Sequence, residues 1–218
     1  MPKLTINLLK DAAKKFTIIE SSHDEPSIFG STDGKAVGTY LEHKFKNYLD
    51  SSYTYIKGNS ASGIDFPCKD INTDIKVTSI IQPQSSCPFK SARQKIYGLG
   101  YNLLIFVYEK LDNNKTKTSR LNILHTVFVD KSRTGDFQLT TSINKILENN
   151  GNKDDIVSLL FDKNLPIDEI EASDLAEEIL VNRPITGYLT ISNALQWRLH
   201  YSRIIEKAGS IEGIFKLK

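Results

Sequence analysis

The run Leu103–Tyr108 (LLIFVY) constrains the fold more than any other segment, because it is apolar almost throughout. A strand with one solvated face alternates apolar and polar residues, whereas a strand covered on both faces is continuously apolar. The run therefore predicts a central strand with other elements packed on both of its faces.

The segments before and after this run have the periodicities of helices and of further strands. Apolar residues recur at helical spacing in residues 4–16 and 37–49, which predicts two amphipathic helices. A short helix within residues 91–100 should end at Gly98 or Gly100. Strands are predicted at Gly63–Pro67, Thr73–Ile81, Asn102–Tyr108 and Leu121–Val129. The expected fold class is α/β, a mixed central sheet flanked by helices, with a helical C-terminal part.

The sequence changes character after Gly151. Helices are predicted at Asp154–Phe161, Ser173–Asn182 and Ile191–Lys207. Residues 1–150 carry 20 Lys+Arg against 15 Asp+Glu, residues 151–181 carry 2 against 9, and residues 182–218 carry 6 against 2. These charges indicate surfaces with different roles or a solvated face with chance clustering. We therefore predict a core at 1–150 and a helical region at 151–218, which forms a subdomain or packs on the sheet.

Composition excludes several classes of protein. Contents of 39% hydrophobic and 25% charged residues are those of a globular chain rather than a disordered one. No apolar run approaches the roughly 18 residues that a membrane span requires. The start MPKLTINLLKDAAKK is interrupted by charges, unlike a secretory signal, so we expect a cytoplasmic protein with Cys68 and Cys87 as free thiols. The zinc motif H-E-x-x-H and the Walker A loop are absent.

The segment SGIDFPCKDINTDIKVTSI carries the charged residues that indicate chemistry. Asp74 and Lys76 are two residues apart on a predicted strand, so their side chains project from the same face. Ile75 and Val77 point to the other face, toward the core. The two charged side chains either serve a ligand or form a surface ion pair that contributes little to stability.

A hairpin brings a second carboxylate to the same place. If residues 68–71 form a four-residue loop, Phe66 pairs with Thr73 and Asp65 lies opposite Asp74, with Cβ atoms roughly 5 Å apart. A two- or three-residue loop would shift the alignment of Asp65. Two carboxylates at that distance repel each other unless a cation lies between them. Because Mg²⁺ takes one or two carboxylates and keeps several waters, the pattern predicts an open, catalytic Mg²⁺ site. The lysine on the strand would orient a water and offset charge on a phosphate.

With these residues the sequence resembles the PD-(D/E)xK nuclease superfamily, above all the type II restriction endonucleases. Ile64-Asp65 matches the first acidic position, and Asp74-Ile75-Lys76 matches the D-x-K element. The family also carries a glutamate on the helix before the hairpin, and Glu42 in GTYLEHKFKNYL occupies that place. The match covers about residues 36–110. Pro67 departs from the pattern, because it follows the acidic residue whereas the family's proline precedes it.

The resemblance implies an endonuclease that hydrolyses double-stranded DNA at a short specific sequence with Mg²⁺. Asp65, Asp74 and Glu42 would hold the metal, and Lys76 would position the attacking water. A companion DNA methyltransferase is implied as well, and a homodimer is expected because a two-fold protein reads a palindromic site. Two alternatives stay open. One is a structure-selective repair or junction-resolving nuclease of the same superfamily, and the other is a non-catalytic DNA-binding protein.

Candidate DNA contacts lie near the predicted site and in the C-terminal region. The loops around the hairpin are well placed, and a glutamine of the short helix approaches the active site in some relatives. The last predicted helix has a basic side that either meets phosphates or faces solvent. The candidate residues are Lys57, Asn59, Ser60, Lys90, Gln94, Arg198 and Arg203.

Overall fold

The computed structural model describes residues 1–58, 63–87, 91–192 and 197–218. The described helices are α1 (Ile6–Ser21), α2 (Gly34–Asp50), α3 (Ala92–Tyr97), α4 (Phe137–Glu148), α5 (Lys153–Asp162), α6 (Glu169–Val181) and α7 (Ser202–Lys207). The described strands are β1 (Asp24–Glu25), β2 (Thr73–Ser79), β3 (Gln84–Cys87), β4 (Asn102–Asn113), β5 (Thr118–Val129), β6 (Thr190–Ile191), β7 (Trp197–His200) and β8 (Ile214–Lys216). The predicted fold class, a mixed sheet flanked by helices, is confirmed.

Strand β4 occupies the interior of the larger sheet, which has the order β1-β5-β4-β2 with β8 paired to β5. Strand β2 runs parallel to β4, and β5 runs antiparallel to it. The run Leu103–Tyr108 is buried along its whole length, as the sequence predicted. On one face, Phe106 contacts Phe16 of α1 and Phe45 of α2, with ring centroids 5.9 and 5.2 Å apart. The amphipathic helices α1 and α2 therefore cover this face.

The other face of β4 packs against a second sheet of three strands, in the order β3-β7-β6. The predicted helix Ile191–Lys207 is wrong for the described residues, because Ile191 belongs to β6, residues 197–200 form β7, and only the six-residue α7 follows. In β7, Trp197 and Leu199 are buried while Arg198 is exposed, which is the two-residue period of a strand. Pairing with β3 satisfies the backbone hydrogen-bonding groups of β7, and this pairing makes the segment a strand rather than a helix.

Other predictions divide between confirmed and wrong. Helices α5 and α6 are present near their predicted positions, and α3 ends at Gly98, whose φ of 89° suits glycine. The predicted strand Gly63–Pro67 is wrong, since Phe66 alone forms a bridge there. Residues 84–87 form a further strand, β3, which the sequence did not predict. Cys68 and Cys87 form no disulfide. Within the described ranges, no helix is both long and apolar enough to cross a bilayer.

Candidate active site

The hairpin register places Asp65 beside strand β2. Phe66 and Thr73 exchange backbone hydrogen bonds of 3.0 and 3.1 Å, which confirms the pairing predicted from a four-residue loop. Beyond this pair, the Ile75 amide donates to Asp65 Oδ2 at 2.7 Å. The Asp65 side chain thus accepts a hydrogen bond from a strand amide that would otherwise bond to a neighbouring backbone. This hydrogen bond fixes the carboxylate at the edge of β2.

Asp74 and Lys76 project from the same face of β2, and Lys76 Nζ lies 2.7 Å from Asp74 Oδ2. Their side chains are 7% and 20% exposed, so this pair lies below the surface rather than on it. Ile75, between them, is buried in the core on the other face. The parallel register of β2 with β4 sets Asp74 opposite Leu103, so the central strand holds the pair in place.

The pKa values of Asp65 and Asp74 are shifted in opposite directions. Burial, together with the adjacent Asp65, raises the pKa of Asp74 to about 7 against the opposing effect of Lys76. Burial would also raise the pKa of Asp65, but hydrogen bonds from Asp74, Lys46 and the Ile75 amide outweigh it and hold that pKa below its usual value. The opposite shifts ease the repulsion between two close carboxylates, because the group with the raised pKa holds its proton more readily than an ordinary aspartate does.

Helix α2 supplies the facing wall of the site. The buried residues that pack it on the sheet are Val37, Leu41, Phe45 and Leu49. Glu42 and Lys46 lie on its flank, one turn apart, and Lys46 Nζ is 2.6 Å from Glu42 Oε1 and 2.5 Å from Asp65 Oδ1. We did not predict Lys46 from the sequence. Its spacing of four residues from Glu42 was the available signal, because such residues share a helix face.

The side chains of α2 and the hairpin meet in one cleft of about 370 Å³. The polar residues that line it are Glu42, His43, Lys46, Asp65, Asp74 and Lys76. A neighbouring cleft of about 190 Å³ shares His43, Lys46, Gly58 and Asp65 with it and extends to Lys57. The structure therefore brings together four residues that the sequence assigned separately to a helix, a hairpin and a strand.

The donor set of this cleft fits a divalent cation that keeps most of its water. Asp65 and Asp74 line the same cleft and influence each other's pKa, and a divalent cation held by both would offset the repulsion between their negative charges. Mg²⁺ needs no more than one or two carboxylates from the protein. Within the described part of the chain, no three His, Cys, Asp or Glu side chains form a metal cage. The Lys46 ammonium bridges Glu42 and Asp65. The Glu42 carboxylate therefore lies outside the close pair of Asp65 and Asp74.

The predicted DNA contacts near the hairpin lie in different surroundings. Lys57 is exposed at the neighbouring cleft, and its Nζ lies 2.6 Å from Asp50 Oδ2. Gln94 on α3 donates to the Leu99 carbonyl at 3.3 Å and is not among the described residues that line the larger cleft. Asn59, Ser60 and Lys90 fall outside the described residues.

The two C-terminal arginines also differ. Arg198 is exposed on β7, opposite Ser86 of β3. Arg203 on α7 is half-buried, and its guanidinium stacks 3.9 Å from the centroid of the Phe137 ring. Of the two, Arg198 presents its charge to solvent, whereas Arg203 packs against the protein.

The mixed sheet, with α2 and the hairpin on one edge, is consistent with a restriction-endonuclease-like fold. Residues 3–216 match the family model described as type II restriction enzyme NspV. The type II restriction enzyme NspV of Nostoc sp. (strain ATCC 29411 / PCC 7524) is 61% identical over 214 residues, which cover 98% of this chain and 96% of that protein. The chain belongs to the NspV family of type II restriction enzymes.

Proposed function

We propose that this protein is a Mg²⁺-dependent endonuclease of the PD-(D/E)xK type, which hydrolyses double-stranded DNA at a short specific sequence. The observation that carries the proposal is the meeting of Asp65, Asp74 and Lys76 in one cleft. These residues stand on a hairpin and its strand in the order of the D-x-K motif, within a chain of the NspV family. Membership of a type II restriction family favours sequence-specific cleavage over structure-selective cleavage.

Four charged residues of the cleft have a role in this chemistry. Asp65 and Asp74 would hold the metal, and Glu42 would complete its outer environment. Bound Mg²⁺ supplies a water of lowered pKa and neutralises charge on the phosphate. Lys76, 2.7 Å from Asp74, orients the nucleophile and offsets the negative charge that develops on the phosphate. The Ile75 amide keeps Asp65 from rotating away.

Digestion of plasmid DNA tests the proposal directly. Purified protein with Mg²⁺ is expected to give discrete fragments on a gel, and sequencing of their ends should return one short recurring sequence. A smear without preferred ends, or cleavage confined to branched or mismatched DNA, would favour a repair or junction-resolving nuclease. DNA binding without any cleavage would favour a non-catalytic DNA-binding protein.

The partners follow from this activity. A restriction enzyme attacks any unprotected copy of its site, so we propose a companion DNA methyltransferase that modifies the same sequence in the cytoplasm. A two-fold symmetric protein reads a palindromic site, and we therefore propose a homodimer that cuts both strands. Light scattering of the protein on cognate DNA would give the mass of two chains, and the mass of one chain would contradict the dimer.

The proposal also assigns different roles to the two parts of the chain. Residues 1–150 would carry the chemistry, and residues 151–218 would contribute contacts to DNA. The C-terminal residues are not separate from the sheets, because β7 pairs with β3 and β8 pairs with β5. Any DNA contact from β7 is therefore rigidly placed with respect to the cleft.

Arg198→Ala is expected to weaken DNA binding and to flatten the slope of log K against log salt by about one unit. The reason is that Arg198 is exposed on β7, where its charge can pair with a phosphate. Fluorescence anisotropy at several salt concentrations measures the slope. Arg120→Ala is the matched control, since Arg120 pairs with Asp24 at the far end of β5. Equal slopes for wild type and Arg198→Ala would place the phosphate contacts elsewhere.

Gly58→Ala is expected to slow cleavage about ten- to hundredfold, because it displaces the segment that carries Asp65. The Gly58 amide donates to the Asp65 carbonyl at 2.9 Å, and a Cβ at Gly58 would lie 2.0 Å from the Ile64 carbonyl oxygen. Gly34→Ala is the control, because a Cβ there meets nothing within 4 Å. Cleavage rates are compared between proteins that have equal melting temperatures. An unchanged rate in Gly58→Ala would show that this close approach does not position Asp65.

A further inference from the structure

We propose that Lys46 is an internal counter-ion that competes with the divalent metal for Asp65 and thereby sets the metal affinity of the site. The inference rests on the proposed metal site but concerns a residue outside the D-x-K motif. Lys46 Nζ lies 2.5 Å from Asp65 Oδ1 and 2.6 Å from Glu42 Oε1. One ammonium therefore contacts two of the three carboxylates that we assign to the metal environment.

The two oxygens of Asp65 have partners of different mobility. Oδ2 accepts from the Ile75 amide, which is part of β2 and cannot move away. Oδ1 accepts from the ammonium of Lys46, which ends a flexible four-carbon stem, and the Lys46 side chain is 28% exposed at the cleft. A cation that binds Asp65 through Oδ1 must displace this ammonium, which the stem permits without a change in the backbone of α2.

The charges in the cleft also indicate that Lys46 weakens metal binding. Its three carboxyl groups belong to Glu42, Asp65 and Asp74, and its two ammonium groups belong to Lys46 and Lys76. The ammonium groups already offset most of the negative charge, so a divalent metal gains less electrostatic energy than it would from the carboxylates alone. Lys76 contacts Asp74 and is needed for the nucleophile, whereas Lys46 contacts Asp65 and Glu42 and opposes the metal.

Binding of Mn²⁺ to the DNA-free protein tests this role, measured by the electron paramagnetic resonance signal of free Mn²⁺. Lys46→Met keeps an unbranched apolar side chain and removes the charge, and it is expected to tighten Mn²⁺ binding about tenfold or more. Even at the dielectric constant of water, a unit charge within several ångströms of a divalent ion has an effect of this order. Lys46→Arg keeps the charge and should stay close to the wild-type affinity.

Two controls show whether the gain arises at this site. Lys35→Met removes the same charge at the exposed start of α2, and it should leave Mn²⁺ affinity unchanged. Lys46→Met should tighten Mn²⁺ binding less in an Asp65→Asn background, relative to Asp65→Asn alone, than it does in the wild type, because the two residues act on one another. If Lys46→Met does not fold, Lys46→Gln makes the same comparison.

An unchanged or weaker Mn²⁺ affinity in the uncharged Lys46 variant overturns the proposal, because the ammonium then only positions Asp65. The measurement contains no DNA, so it is independent of cleavage. Failure of the wild-type protein to cut plasmid DNA would count against the proposed nuclease function. The Mn²⁺ affinities decide the role of Lys46 alone.

Discussion

Replacing Lys76 or Asp74 by alanine is expected to lower the DNA cleavage rate about 10²- to 10³-fold or more, with the fold intact. Lys76 is the one ammonium that contacts Asp74 among the described residues, at 2.7 Å, and it is held below the surface of the cleft. Without it, the developing charge on the phosphate and the attacking water lose an oriented partner. Without Asp74, the metal loses one of the two carboxylates that lie together.

Single-turnover cleavage of a DNA duplex measures this effect, and circular dichroism establishes that each variant is folded. Lys115→Ala is the matched control, because Lys115 is exposed in the turn between β4 and β5. Asp65→Ala should be impaired to a similar degree, since Asp65 supplies the second carboxylate. Full activity in Lys76→Ala or Asp74→Ala would rule out this assignment of the active site.

Removing divalent metal with EDTA is expected to abolish cleavage completely, and Mg²⁺ or Mn²⁺ should restore it. Burial and the adjacent Asp65 raise the pKa of Asp74, so a bound cation would favour the state in which both groups are carboxylates. Ca²⁺ should inhibit, because it binds oxygen ligands with a larger and looser coordination shell than Mg²⁺. The readout is the cleavage rate as metal is titrated back.

A graded series of variants refines the metal test. Glu42→Ala should raise the Mg²⁺ concentration required for cleavage less than Asp74→Ala does, because Glu42 meets the close pair only through Lys46. A larger effect of Glu42→Ala would make Glu42 a direct ligand. Undiminished cleavage in excess chelator would exclude a metal-dependent mechanism altogether.

Local patterns in the sequence determined the elements that carry the candidate site. The apolar stripe of α2 defined which of its faces packs on the sheet, and the continuous run Leu103–Tyr108 defined the central strand. The two-residue period of β2 put Asp74 and Lys76 on one face. An assumed four-residue loop in the hairpin gave the pairing of Phe66 with Thr73 that the structure contains. Each of these features depends on neighbours in the sequence, which is why the sequence alone predicted it.

Only the tertiary structure decided the features that depend on residues distant in the chain. Residues 191–207 carry apolar spacing that suits a helix, but pairing with β3 makes Trp197–His200 a strand. The bridge from Lys46 to Asp65 joins α2 to the hairpin, and no local period predicts such a contact. The raised pKa of Asp74 likewise comes from burial and from Asp65 across the hairpin. These features arise from packing, because burial and cross-element distances exist only in the folded chain.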